Sequence, residues 1–166
     1  MRLSQVNRVG ACAALVLLLV AAGRICSAGQ WAAPSPSSAY SIPTSMLLQP
    51  EELNRLLHTP PAGKPLILQV GSRVLFDQAH IPGSEYAGPG MQDAGAQMLR
   101  SRVTKLPRKT LIVLYCGCCP WNRCPNVGPA YKLLLDMGFT RVKVLYLANN
   151  FGADWANKGF PVESTH

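Results

Sequence analysis

Apolar and polar residues fall into blocks along this chain. The first block, Ala11 to Ala22, reads "ACAALVLLLVAA"; it follows Arg2 and Arg8 and precedes the small-residue patch "CSAGQ". A basic start, an apolar centre and a small-residue exit predict a secretory signal over residues 1–28. The run is too short for a comfortable permanent membrane span. Residues 29–45, "GQWAAPSPSSAYSIPTS", carry Pro, Ser and Ala without apolar periodicity and read as a flexible linker. The folded domain is expected over 46–166. It opens with "QPEELNRLLHTPP": Pro50 suits a first helical position, Glu51 and Glu52 suit the positive first turn, and Leu53, Leu56 and Leu57 share a face. Pro60 and Pro61 end that helix.

The periodicity then alternates. "KPLILQVG" (64–71) is an apolar strand closed by Gly71, and residues 94–107 carry a helical pattern through Met98, Leu99 and Val103. "KTLIVLYC" (109–116) is the strongest strand, with an unbroken apolar run from Leu111 to Tyr115. A helix over 127–139 is expected to bury Tyr131, Leu134, Leu135 and Met137 and to stop at Gly138. "RVKVLYLA" (141–148) predicts another strand, and "FGADWANKGF" a short final helix ending at Gly159. Nearly all-apolar strands alternating with helices predict an α/β fold, a mostly parallel central sheet covered by helices on both faces. Ligands in such sheets sit outside the carboxyl ends of the strands.

Charge changes this picture little. The 166 residues carry a formal +8; removing the signal with Arg2, Arg8 and Arg24 leaves 13 basic against 8 acidic residues, a net +5. The bases are scattered singly, and the nearest approach to a patch, "RSRVTKLPRK", has no interleaved aromatic residue. Nucleic acid is therefore not an expected partner, whereas a mild attraction for small anions is.

The cysteines change it more. Cys12 and Cys26 fall within the signal, and Arg24 and Ile25 make Cys26 a poor lipid-attachment site. Cys116, Cys118, Cys119 and Cys124 crowd into nine positions, "CGCCPWNRC", at the carboxyl end of the strongest strand. Disulfides are the default in an exported chain, but cysteines so close together staple only their own loop. The clustering favours chemistry.

Several segments together resemble the rhodanese-like family of sulfurtransferases: the proline-led "QPEELNRLL", the segment "FDQAHIPGS" (76–84), "LIVLYC", a helix ending in "MGF", "VKVLYLA", and "DWANKGFPVE". The ordered set spans roughly residues 46 to 163. The resemblance implies that Cys116 carries sulfur as a persulfide, inside a loop of inward-pointing backbone N–H groups, without a dissociable cofactor. It implies a structural turn at His80. The chain departs from the family at Gln69, where aspartate is usual, at Gly71, where arginine is frequent, and at Ala79, where glycine precedes the histidine. The stretch from Cys116 to Gly138 is also longer, and the insertion is the cysteine-rich segment itself.

The residues allow a concrete chemistry. A thiol before a helix N-terminus has a lowered pKa, so Cys116 is expected as a thiolate that attacks the outer sulfur of thiosulfate or a persulfide and passes it to a thiol acceptor. Gly117, Cys118, Cys119, Trp121 and Arg123 are the expected substrate-binding residues, with backbone N–H groups and Arg123 holding a small anionic donor. Cys118, Cys119 and Cys124 stay open between two roles, resolving the persulfide or bracing the loop as a disulfide. The rival readings are a thiol–disulfide redox protein with its own protein partner and a module holding a soft metal. The cluster lacks two separated cysteine pairs and a neighbouring histidine, so no metal ligands are assigned. A phosphatase loop needs Cys, five residues and Arg; six residues separate Cys116 from Arg123. His58 and His166, at a helix end and the chain end, suggest no catalysis. The expected location is periplasmic or extracellular.

Overall fold

The computed structural model describes residues 41–58, 60 and 63–165. The expected signal with Cys12 and Cys26, the expected linker up to residue 40, Pro61 and His166 lie outside the described residues. The chain is packed by Ile42, which with Met46 lies against the core. A 3-10 turn, Thr44–Met46, leads into strand β1, Leu47–Leu48. Helix α1, Pro50–Leu57, starts as its sequence dictates: Pro50 fills the first turn, and the Gln49 carbonyl accepts the N–H groups of Glu52 and Leu53 at 3.0 Å.

Strand β2, Leu66–Gln69, is followed by helix α2, Arg73–Gln78, and strand β3, Glu85–Tyr86. Helix α3, Asp93–Val103, leads to strand β4, Ile112–Tyr115, which is buried throughout. Helix α4, Val127–Asp136, strand β5, Val142–Leu145, and helix α5, Phe151–Asp154, complete the order. A last 3-10 turn, Ala156–Lys158, is stopped by Gly159 in the left-handed region (φ 76°).

The strands form one sheet in the order β1-β5-β4-β2-β3, and every pairing is parallel. Side chains alternate across it. Leu68, Ile112, Leu114, Val142 and Val144 face one way, onto Leu99 and Val103 of α3 and Val127, Tyr131 and Leu134 of α4. Ile67, Val113, Tyr115 and Leu145 face the other way, onto Leu53 of α1 and the fully buried Trp155. The expected α/β architecture, a parallel sheet with helices on both faces, is what the chain adopts.

Details differ from the pattern. The strands β1 and β3 are two residues long, too short for a period to register. Helix α2 was not foreseen because only Phe76 of its six residues is buried, while Val74 and Leu75 face outward. On α4, Leu133 takes the buried place expected for Leu135, which is 36 % exposed. His80 is structural: buried, stacked on Phe76 with its Nδ1 2.7 Å from the Phe76 carbonyl, and paired through its backbone with Glu163.

These burials predict a contrast within one helix. Leu134→Ala empties a fully buried site and should cost about 2–5 kcal/mol in urea unfolding, whereas Leu135→Ala should stay within about 0.5 kcal/mol.

Candidate active site

Alternation along β4 gives Cys116 the same face as Leu114, towards the start of α4, and the residue is 5 % exposed. Gly117 follows at φ 73°, where a β-carbon would also stand 2.7 Å from Phe151 Cβ. Glycine is required there on both counts. Its carbonyl accepts the Phe151 N–H at 3.0 Å, and Trp121 N–H donates to the Ala148 carbonyl at 3.1 Å. The cysteine loop is thus fastened to the segment after β5.

Gln69, at the carboxyl end of β2, fixes the base of the loop. Its buried amide donates to the Cys116 carbonyl at 3.2 Å and accepts the Gly71 N–H at 3.1 Å. Gly71 has no side chain to spare: a β-carbon there would lie 2.8 Å from the Cys116 sulfur. Asn126, buried just ahead of α4, accepts the Met91 N–H at 3.2 Å and turns its amide nitrogen to Cys116 Sγ at 3.5 Å.

The sulfurs form a line. Cys116 Sγ is 3.0 Å from Cys118 Sγ, Cys118 Sγ is 3.3 Å from Cys119 Sγ, and Cys119 Sγ is 3.7 Å from the Arg123 carbonyl. Cys124 also contacts both Cys116 and Cys119, and with Cys119 and Trp121 it borders a small void. All four are free thiols. A cleft of about 330 Å³ opens over Cys116, Gly117 and Cys118, walled by Leu75 and Ala79 of the α2 region and by Phe151 and Ala156.

The four thiols divide their protons unevenly. The Cys116 thiol is pushed up, first by its hydrogen bond with Cys118, then through Cys124 and through burial. Cys118 is held down to about 6, chiefly by that hydrogen bond. Cys124 is likewise held down to about 6, by Cys116 first and then by the backbone N–H groups of Asn126 and Val127. The amides at the start of α4 therefore serve Cys124, whereas they were expected at Cys116. The cluster thus gathers its negative charge on Cys118 and Cys124, beside a protonated Cys116. Burial, then Cys118, pushes Cys119 up to about 12.

Of the expected binding residues, Gly117 and Cys118 line the cleft with Cys116; Cys119, Trp121 and Arg123 do not. Trp121 packs on Tyr146 with ring centroids 5.2 Å apart, and Arg123 is exposed. Among the described residues no group of three His, Cys, Asp or Glu side chains is placed to hold a metal ion.

Solved structures share this architecture. The BH2092 protein from Bacillus halodurans matches with a TM-score of 0.57 at 21% identity, over 73% of this chain and 78% of that one. The rhodanese-like domain of the Alr3790 protein from Anabaena sp. matches at 0.53 and 22% identity, over 72% of this chain and 79% of that one. The fold is rhodanese-like. EanB is similar over 76% of this chain but only 28% of its own length, with a TM-score of 0.52 at 20% identity. No family model and no curated protein matches the chain. At these identities the likeness is one of fold.

On this rhodanese-like scaffold two site residues had not been singled out as such. Gln69 was visible as an amide at a strand's carboxyl end, but its reach to Cys116, 47 positions away, is a tertiary fact. Asn126 reads as a helix cap, yet it makes no side-chain cap bond and faces the sulfur.

Two outcomes test this geometry. Gln69→Leu strands the buried Cys116 carbonyl and should lower stability by about 1–3 kcal/mol in denaturant unfolding. Lowered thiols are thiolate above their pKa, so iodoacetamide labelling of the reduced protein, read by peptide mass spectrometry, should rise at Cys118 and Cys124 through about pH 6. Cys116 should lag until both partners are replaced by serine; labelling led by Cys116 in the unmodified protein would contradict the placement.

Proposed function

We propose that this protein is a sulfurtransferase that carries sulfane sulfur on Cys116 and passes it to a thiol acceptor. The observation that carries the reading is the seat of Cys116 at the carboxyl end of the central strand, beside a cleft and 3.0 Å from a second cysteine sulfur. The rhodanese-like fold supports the same reaction class. In the first step the neighbouring thiolate, Cys118 on the cleft side, takes the Cys116 proton and acts as general base. The Cys116 thiolate then attacks the outer sulfur of the donor. A sulfur–sulfur bond forms at Cys116, the donor's own bond to that sulfur breaks, and the donor's remainder leaves with the electron pair. An acceptor thiolate attacking the outer sulfur of the persulfide releases Cys116 as thiolate again.

A second reading has its own observation, the two sulfurs at 3.0 Å. Attack by Cys118 on the inner sulfur of the persulfide would expel hydrosulfide and leave a Cys116–Cys118 disulfide, needing closure only to about 2.05 Å. Such a dithiol would exchange disulfides with a redox protein partner. The apolar segment Ala11–Ala22 supports a site of action outside the cytoplasm, periplasmic or extracellular.

Intact-mass measurement decides between them. The reduced protein incubated with thiosulfate or, separately, with an organic persulfide should gain one sulfur atom, and Cys116→Ser should gain none. A disulfide between Cys116 and Cys118 with no added sulfur under either donor would replace sulfur transfer by thiol–disulfide exchange.

A further inference from the structure

The cleft over Cys116 is unlike an anion site. Among the described residues that line it there is no Lys, Arg, His, Asp or Glu. Charges on the two helices that wall it are paired elsewhere. Arg73 and Asp77 on α2 close on each other at 2.8 Å, and the Asp154 carboxylate accepts the Asn149 and Asn150 N–H groups. Arg123 is exposed and is not among the lining residues.

Three of the backbone donors on the α5 wall are also committed. The Phe151 N–H goes to the Gly117 carbonyl, the Ala153 N–H to the Asn150 side chain and the Asp154 N–H to the Asn150 carbonyl. What the walls offer is apolar surface from Leu75, Ala79, Phe151 and Ala156, with the neutral amides of Gln78 and Asn150 at the side. A dianion entering here meets no cation in exchange for its lost hydration, and it approaches a cluster that already holds a thiolate.

We infer that this cleft selects organic persulfides whose carbon part is uncharged and discriminates against thiosulfate and other donors with an anionic tail. The inference rests on Cys116 as the sulfur carrier and adds the substrate class. The step balances without an oxidant: the Cys116 thiolate attacks the outer sulfur of R–S–SH, a sulfur–sulfur bond forms to Cys116, the donor's own sulfur–sulfur bond breaks, and the thiolate R–S⁻ leaves with the electron pair. The hydrogen stays on the transferred sulfur, giving Cys116–S–SH. The carbon group R lies against Phe151 and Leu75, and its polar substituents face the Gln78 and Asn150 amides.

A matched pair of donors tests this. Hydroxyethyl persulfide and sulfonatoethyl persulfide share the reacting sulfurs and differ in the charge of the tail. Rates of sulfur loading, followed by intact mass on the reduced full chain, should favour the hydroxyethyl donor by about tenfold. Gln78→Lys, which sets a cation at the cleft from the exposed side of α2, should narrow that ratio. Equal rates with the two donors, or a ratio that Gln78→Lys leaves unmoved, would overturn the inference while Cys116 remained the carrier. No sulfur added from either donor would overturn both the inference and the proposed transfer.

Discussion

One buried amide, the side chain of Gln69, holds the two strand ends that make the site. Parallel strands satisfy each other's backbone only while they run side by side; beyond the last pair each carbonyl and N–H needs another partner. Gln69 donates to the Cys116 carbonyl and accepts from Gly71, so both exits from the sheet are pinned by one neutral group. Neutrality matters as much as reach. A carboxylate in that place would set a negative charge beside a cluster that already stores one, whereas the amide fixes the geometry and leaves the sulfurs to divide the charge.

That division is the second constraint. Cys116 contacts both Cys118 and Cys124; its own thiol is pushed up and theirs are held down, so the negative charge of the cluster rests on its flanks. Here the deepest of the four cysteines, 5 % exposed, is also the one seated at the sheet's ligand edge.

Much of the fold was legible because its long elements follow simple rules. The run "LIVLY" could only be a buried strand, and Pro50 with two glutamates behind it could only open a helix. What escaped was short or decided by contact at a distance. Two-residue strands have no period, and α2 is held by Phe76 under His80 rather than by an apolar stripe. Leu133 and Leu135 are indistinguishable in sequence, and only the angle at which α4 meets the sheet decides between them. The cysteine cluster announced itself by composition. The owner of the helix-start amides was invisible, because it turns on how the inserted residues coil before Asn126.

The loop that carries the cysteines does not stand alone. Its Gly117 carbonyl and Trp121 N–H are completed by Phe151 and Ala148, residues of the segment that follows β5, and Phe151 in turn occupies the space that a side chain at position 117 would need. The two loops are halves of one module. Grafted singly onto another scaffold of this shape, the cysteine segment would arrive without its hydrogen-bonding counterpart and lose its form. Transplanted together, residues 116–126 and 148–152 carry their own support with them.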